Sequence, residues 1–169
     1  CEKPLAPTLE EAAAMRDAAA ATGVTAGTAF NYRFVPAIRH AKRLIEDGEL
    51  GEIRQVRGRY LQDWLVDPEA PWAWRMDAEL AGSGALGDLG AHTIDLARFL
   101  VGDRVGGLDR VSGKLTTFVD ERPVYDEDGS LAEYPDVTVS DAYTAQFDSH
   151  TGPTGTSQSS RVAAGHHNG

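Results

Sequence analysis

The segment GDLGAHTID (residues 87–95) carries three side chains that could do chemistry together: Asp88, His92 and Asp95. Their spacings of four and three residues place them within about 60° of one another on a helix. A carboxylate beside an imidazole can fix the imidazole tautomer and raise its pKa, which makes a proton-transfer pair. The surrounding residues are largely apolar, and a buried helix has little room for unpaired charges. The pattern therefore favours a functional stripe over a solvated helix face.

A metal site is the second interpretation of the same stripe. Zinc sites use three or four nitrogen, sulfur or oxygen ligands. The other histidines of the chain lie far away in sequence, without ligand-like spacing: His40, His150, His166 and His167. We therefore expect no metal, although a metal-dependent isomerase or hydrolase built on Asp88 and His92 stays open as an alternative.

Proton transfer from a substrate hydroxyl to His92 would profit from a nearby cation that stabilises the developing alkoxide. Lys3, between Glu2 and Pro4, is a candidate, since Pro4 favours an extended backbone at Lys3 and a turn of the chain. Alone, the tetrapeptide CEKP favours a surface lysine on a turn.

Two further polar stretches could contact a ligand. NYRF (residues 31–34) supplies Tyr32 and Arg33 at the expected end of a strand, where open α/β sheets bind ligands. WAWR (residues 72–75) supplies Trp74 and Arg75 in a loop before the polar helix. From these stretches alone, a packed tyrosine, a packed tryptophan and surface arginines are equally good interpretations.

Helices and strands are needed to position these residues. Thr8 with Glu11 forms the pattern of a capping box, which predicts a helix that Gly23 ends. Pro36 and Gly48 bound a second predicted helix. A third helix is predicted over residues 84–102, beginning in the small-residue run AGSGA, which would allow a close backbone approach.

Strands are predicted wherever the hydrophobic pattern alternates or a short apolar run is bounded by turn residues. The predicted strands cover residues 24–34, 51–65, 110–119, 136–149 and 155–165. The acidic stretch 121–135 is expected to be a surface loop. The order predicts an α/β remnant of a Rossmann domain in residues 1–35. It is followed over residues 36–169 by an α+β domain with a largely antiparallel sheet and helices on one face.

Composition excludes some partners. The 169 residues carry a net charge of −10, with no basic stripe, so neither nucleic acid nor an anionic membrane surface is an expected partner. Cys1 is the single cysteine, so no intrachain disulfide can form, which suits a cytoplasmic location.

Taken together, these stretches resemble the Gfo/Idh/MocA family of nicotinamide-dependent oxidoreductases. CEKPLA is similar to the family's EKP motif. GSGALGDLGAHTIDLARFL is similar to its GGG-x-x-x-D-x-G-x-H-x-x-D signature, with Ser83 in place of the middle glycine. FNYRF, GELGEIRQVRG and WAWRMD lie between these two motifs in the family's usual order and spacing, so that the resemblance covers essentially the whole chain.

The resemblance implies hydride transfer between NAD or NADP and a sugar, polyol or related hydroxy compound. It assigns catalytic roles to Lys3, Asp88 and His92, and a structural or orienting role to Asp95. The residues that it places at the cofactor are Glu2, Lys3, Pro4, Tyr32, Trp74 and Arg75.

The resemblance also implies that part of the enzyme lies outside these residues. The G-x-G-x-x-G pattern occurs once, as GSGALG at residues 82–87, but there it lacks the βαβ context of a phosphate turn. We therefore expect a middle segment of a longer enzyme, incomplete at both ends and inactive alone. Homo-oligomerisation through the sheet is the implied assembly. A non-catalytic fragment that serves only oligomerisation is the rival hypothesis, and it would be favoured if Lys3 and His92 lay far apart.

Overall fold

A computed structural model describes residues 1–167. Its first helix, α1 (Leu9–Thr22), begins at the predicted capping box. The Thr8 hydroxyl accepts a hydrogen bond from the backbone N–H of Glu11 at 3.2 Å, and the Glu11 carboxylate accepts one from the backbone N–H of Thr8 at 3.3 Å. The helix ends at Gly23, as predicted. These paired bonds satisfy backbone donors that a helix start leaves open.

The strand predicted over residues 24–34 is wrong. Residues 24–30 are irregular, and Asn31–Phe34 forms a turn of 3₁₀ helix. Backbone bonds of 2.8 Å from Ala29 N–H to the Cys1 carbonyl and of 2.9 Å from the Cys1 amine to the Gly27 carbonyl tie this segment to the start of the chain. An apolar run becomes a strand only where a partner pairs with it along its length. Within the described residues, 1–35 thus contain helix and no strand.

Six strands follow within residues 36–167. They are β1 (Gln55–Leu61), β2 (Leu108–Thr116), β3 (Val124–Tyr125), β4 (Leu131–Glu133), β5 (Ala142–Ser149) and β6 (Thr154–Ser160). Strands β3 and β4 form a small antiparallel hairpin inside the stretch predicted to be an acidic loop, which corrects that prediction. The other four form one sheet in the order β1-β6-β5-β2.

This sheet is mixed rather than largely antiparallel. Strand β5 runs antiparallel to both β6 and β2, whereas β1 and β6 are parallel, with Tyr60 opposite Ser159. Parallel neighbours need a long crossover connection, and here most of the domain lies between β1 and β6. The sequence pattern of each strand does not encode which neighbour it meets.

Three more helices complete the fold: α2 (Pro36–Glu46), α3 (Ala78–Ala81) and α4 (Ala91–Val105). The helix predicted over residues 84–102 is corrected at both ends, since it opens with a π-helical turn, Leu86–Gly90, and continues to Val105. The hydroxyl of Thr151 donates to the Val105 carbonyl at 2.7 Å, which satisfies one of the acceptors at the helix end.

Helix α4 lies on one face of the sheet, and α2 packs against α4. Thr93 of α4 shares hydrogen bonds of 3.1 Å with the hydroxyls of Tyr143 on β5 and Ser157 on β6. The opposite face is exposed and polar, with side chains from all four strands: Arg57, Arg59, Ser112, Lys114, Thr144, Gln146, Thr156 and Gln158. Within residues 1–167, no helix has the length and apolar character needed to cross a membrane.

The core combines apolar clusters with buried charge. One cluster contains Leu65, Met76, Val137 and Val139, and another contains Ile45, Val101 and Val105. Beside them, Arg122, Asp141 and Arg161 have no exposed surface. The two arginines donate to backbone carbonyls, and the Asp141 carboxylate accepts from the backbone N–H groups of Phe118 and Val119 at 2.8 and 3.2 Å. Nothing in the sequence pattern marked this charged centre.

Candidate active site

Lys3 lies beside Asp88. Its ammonium donates to the Asp88 backbone carbonyl at 2.6 Å and to the carboxylate Oδ1 at 3.1 Å. Both side chains keep some solvent access, 19% for Lys3 and 26% for Asp88. A cation and a carboxylate that are 85 residues apart thus form one pair.

The small-residue run before Asp88 allows this approach. At Gly82, with φ +71°, a Cβ atom would lie 2.9 Å from Pro7, so the segment that carries Lys3 can dock against the backbone here. At Gly84 a Cβ atom would lie 2.0 Å from the Ser140 carbonyl oxygen. The predicted close backbone approach is confirmed, and its partners are the N-terminal segment and the residue before Asp141.

Replacing Gly84 with alanine is expected to lower the free energy of unfolding by about 1–3 kcal/mol, because the added methyl group must displace the backbone at Ser140. Urea unfolding of the variant measures this. The control is Gly102→Ala in α4, where a Cβ atom would have no neighbour within 4 Å. A stability of Gly84→Ala equal to that of the control would show that the approach is not tight.

His92 lies one helical turn beyond Asp88 and is only 8% exposed. Aromatic rings surround it, with centroids at 4.6 Å for Tyr32, 6.0 Å for Phe30 and 6.2 Å for Tyr60. Its Nδ1 is buried and has no hydrogen-bond partner within the described part of the chain. A buried polar atom without a partner is costly, and at a functional site it indicates a place for a ligand or water.

The pKa of His92 is lowered, whereas the sequence predicted an imidazole raised by its carboxylate neighbours. Burial disfavours the imidazolium most, and the charge of Lys3 adds to this; Asp88 and Asp95 act in the opposite direction but more weakly. Each carboxylate already has a cationic partner, which reduces its stabilisation of the charged imidazolium. His92 is therefore held as a neutral base.

Asp95 is the second carboxylate near His92 that pairs with a cation. It is 8% exposed and accepts two hydrogen bonds from the Arg33 guanidinium, one of them at 2.8 Å. The hydrogen bonds to Asp95 raise the pKa of Arg33. This bidentate pair joins the 31–34 turn to α4, and thereby holds Tyr32 against His92. Arg33, whose side chain is 41% exposed, thus ties the 31–34 turn to α4.

The remaining predicted cofactor contacts lie outside this cluster. Glu2 and Pro4 are exposed beside Lys3. Trp74 is 50% exposed and stacks with the Arg75 guanidinium at 4.5 Å. Among residues 1–167, no hydrogen bond, ion pair or ring contact joins Trp74 or Arg75 to Lys3 or His92. Their link to the site is indirect, through Arg161, which donates to the Arg75 carbonyl at 3.3 Å.

Sequence reasoning missed Tyr60 and Gln62. The Tyr60 hydroxyl lies 2.7 Å from that of Tyr32, and the Gln62 amide donates to it at 3.3 Å. The alternation of side chains along β1 could have predicted that Tyr60 and Gln62 lie on the same side of the strand. It could not have predicted that this side faces Tyr32. The described residues contain no group of three or more His, Cys, Asp or Glu side chains that could hold a metal ion. The metal-dependent alternative therefore has no donor set in this part of the chain.

Comparison with known proteins places this geometry in a family. The sequence model of the GFO/IDH/MocA C-terminal domain matches residues 38–169. A levoglucosan dehydrogenase from Pseudarthrobacter phenanthrenivorans is 49% identical over 124 residues, which cover 73% of this chain and 31% of that protein. A D-xylose 1-dehydrogenase [NADP(+)] from Haloarcula marismortui is 32% identical over 167 residues, covering 96% of this chain and 46% of that protein.

The solved structures agree. A levoglucosan dehydrogenase in complex with NADH and L-sorbose superimposes with a TM-score of 0.91 at 42% identity, covering 99% of this chain and 43% of that one. The chain thus spans less than half the length of these relatives. The fold is the α/β fold with a mixed sheet seen in these oxidoreductases, and the resemblance read from the motifs is confirmed: the chain belongs to the Gfo/Idh/MocA family.

Proposed function

We propose that the protein containing this chain is an NAD(P)-dependent oxidoreductase that transfers a hydride between the nicotinamide and a sugar, polyol or related hydroxy compound. The observation that carries the proposal is the juxtaposition of Lys3, Asp88 and His92 at one place in the fold. The names of the relatives support the substrate class and both cofactors: levoglucosan and D-xylose dehydrogenases, one with NADP and one solved with NADH.

The residues fit a nicotinamide and a hydroxy compound. His92 offers a buried Nδ1 without a partner in the described structure, and Lys3 offers a partly exposed ammonium. The nicotinamide supplies the hydride acceptor when it is bound. Lys3 would lie at its reactive end, with Glu2 and Pro4 beside it. Tyr32, Trp74 and Arg75 would form the outer rim, as the family resemblance implies.

In this proposal, His92 takes the proton of the substrate hydroxyl. Because its pKa is lowered, the imidazole is neutral and ready to accept at neutral pH. The Lys3 ammonium donates a hydrogen bond to the same hydroxyl oxygen and stabilises the negative charge that develops there. Asp88 holds Lys3 in place and balances its charge while no substrate is bound. The rings around His92 keep bulk water away from the proton path.

Three further proposals follow the family resemblance. Residues 1–35 are the end of a dinucleotide-binding domain, and residues 36–169 belong to a substrate and oligomerisation domain. The exposed polar sheet face is where identical subunits pair, and its four-stranded width supports this. We also propose a cytoplasmic location. An oligomerisation role without catalysis is the weaker alternative, because Lys3 and His92 are not far apart.

Replacing Lys3 with methionine in the whole protein is expected to lower kcat on the order of 10²–10³-fold, since one preorganised donor to a developing charge is removed. Reduction of NAD⁺ or NADP⁺ with levoglucosan and with D-xylose, followed by absorbance, measures this. Lys42→Met is the matched control. Lys42 is 20% exposed, pairs with Glu46 and donates to the Phe99 carbonyl at 2.8 Å. It lies on α2, and none of these partners is Lys3, Asp88 or His92.

Lys42→Met is expected to keep the activity of the original protein. No oxidation of either sugar or of a panel of polyols with either nucleotide would refute the proposed reaction. A Lys3→Met variant as active as Lys42→Met would refute the role of Lys3.

A further inference from the structure

A row of hydrogen bonds runs along one side of β1 and its continuation. The indole N–H of Trp64 donates to Gln62 Oε1 at 2.9 Å, and Gln62 Nε2 donates to the Tyr60 hydroxyl at 3.3 Å. The Tyr60 and Tyr32 hydroxyls then share a bond of 2.7 Å. Alternate residues of an extended chain point to the same side, which is why positions 60, 62 and 64 align. We call these four residues the β1 row.

The outer half of the β1 row has a fixed orientation. An indole N–H can only donate, so the side-chain atom of Gln62 that faces Trp64 must be the amide oxygen. The amide nitrogen then faces Tyr60 and donates to its hydroxyl. The Trp64 N–H thereby favours the orientation of the Gln62 amide in which its nitrogen donates to the Tyr60 oxygen.

The inner end of the row lies on His92. The Tyr32 ring is tilted at 42° over the imidazole with centroids 4.6 Å apart, and the Tyr60 ring meets it edgewise at 6.2 Å. Burial and the hydrogen bond to Tyr32 raise the pKa of Tyr60, which keeps its hydroxyl protonated and able to take part in the row. The two phenol rings are therefore held against His92 by hydroxyl bonds on their far ends.

The outer end of the row is anchored although Trp64 is 43% exposed. Its ring lies 5.8 Å from the guanidinium carbon of Arg161, and this arginine is fully buried. Arg161 also donates to the backbone carbonyls of Ser140 and Arg75 at 3.0 and 3.3 Å. A cation–π contact with a fixed guanidinium restrains the indole, so its N–H stays directed at Gln62.

We propose that Trp64 and Gln62 are positioning residues that act on His92 through the Tyr60–Tyr32 hydroxyl pair. When the row is intact, the two phenol rings cover His92 and exclude water from it. Loss of the Trp64 donor removes one restraint on the Gln62 amide, which weakens its hydrogen bond to the hydroxyl pair, and the rings then cover the imidazole less closely. The claim about position stands apart from the reaction; only its effect on rate depends on the proposed function.

Every charged or titratable group near His92 has to be considered, because each could move its titration. Lys3 approaches from the N-terminal segment, Asp88 from the π-helical turn, and Asp95, paired with Arg33, from α4. Tyr32 and Tyr60 face it from the 31–34 turn and from β1. None of the substitutions at Trp64 or Gln62 changes a charge, so a change in the His92 titration would come from its exposure to water.

The test is an NMR titration of the whole protein with labelled histidine, in which the His92 ring signal is assigned by its loss in His92→Asn. In Trp64→Phe, which keeps a ring but removes the N–H, the pKa of His92 is expected to rise toward its ordinary value. Gln62→Met, which keeps the length of the side chain, is expected to have the same effect. With levoglucosan as substrate, the acid limb of the kcat/KM profile should move to higher pH, and kcat/KM on that limb should fall roughly three- to tenfold.

Two controls remove a donor of the same kind elsewhere. Trp72→Phe removes an indole N–H that donates to the Asp136 carbonyl at 3.1 Å, and Tyr134→Phe removes a hydroxyl that donates to Glu69 at 3.0 Å. Both are expected to leave the His92 titration unchanged. An unchanged His92 titration in folded Trp64→Phe or Gln62→Met would overturn the proposal. If the KM for the sugar rose while the His92 titration stayed unchanged, the replaced side chain would instead contact the sugar directly. If the His92 titration shifted in a protein that oxidises no sugar, the positioning role of the β1 row would be supported and the proposed function refuted.

Discussion

Replacing His92 with alanine in the whole protein is expected to lower kcat for oxidation on the order of 10²–10⁴-fold, because the neutral base of the site is lost. The effect should depend on pH. With the pKa of His92 lowered, the original protein keeps a neutral imidazole down to that pKa and loses activity only below it. The variant should lack this acid limb. Steady-state kinetics with levoglucosan across a pH series would measure both features.

His150→Ala provides the matched control for this experiment. His150 is exposed and lies 3.6 Å from Asp109, so it is also a histidine beside a carboxylate, but it belongs to the loop between β5 and β6. Its replacement is expected to change kcat by less than about twofold, as for a surface position. If His92→Ala kept the kcat and the acid limb of the original protein, His92 would have no part in the proton path.

Replacing Asp141 with alanine is expected to lower the free energy of unfolding by about 3–5 kcal/mol, the cost of leaving a buried charge uncompensated. Asp141 is fully buried, 3.7 Å from the guanidinium of Arg161, and it accepts from two backbone N–H groups. Burial lowers the pKa of Arg161 and of Arg122, and Asp141 opposes that change in both. Removal of the carboxylate leaves both cations without this partner. Urea unfolding followed by tryptophan fluorescence would measure the loss.

Asp109→Ala is the comparison for Asp141, since its ion pair with His150 lies on the surface and both partners are more than half exposed. A change of under about 1 kcal/mol is expected there. A stability of Asp141→Ala within that range would mean that backbone carbonyls alone satisfy the two buried arginines. The Trp74–Arg75 turn would then not depend on this centre for its position.

The local features of the fold were readable from the sequence. The capping box at Thr8 and Glu11, the start of a helix at Pro36 and the close approach at the AGSGA run all depend on interactions within a few residues or on the absence of a side chain. The ordered motifs also identified the family. They pointed to Lys3, Asp88 and His92, whose roles stay predictions.

Predictions that needed to know which segments pair with each other were the ones that failed. The apolar run at 24–30 reads as a strand, yet its two backbone hydrogen bonds with Cys1 do not make a ladder. The stretch 121–135 reads as a loop because it is acidic, yet its two short strands pair with each other. The parallel pairing of β1 with β6 is decided by the crossover and not by the pattern of either strand.

The chemistry of the site was decided in the same way. Helical spacing brought Asp88 and Asp95 near His92, and from spacing alone their charges should raise its pKa. The tertiary structure supplies Lys3 to one carboxylate and Arg33 to the other, and packs Phe30, Tyr32 and Tyr60 around the imidazole. Spacing along a helix fixes which side chains are neighbours. Burial and counter-charge come from segments far away in sequence, and these set the protonation state of His92.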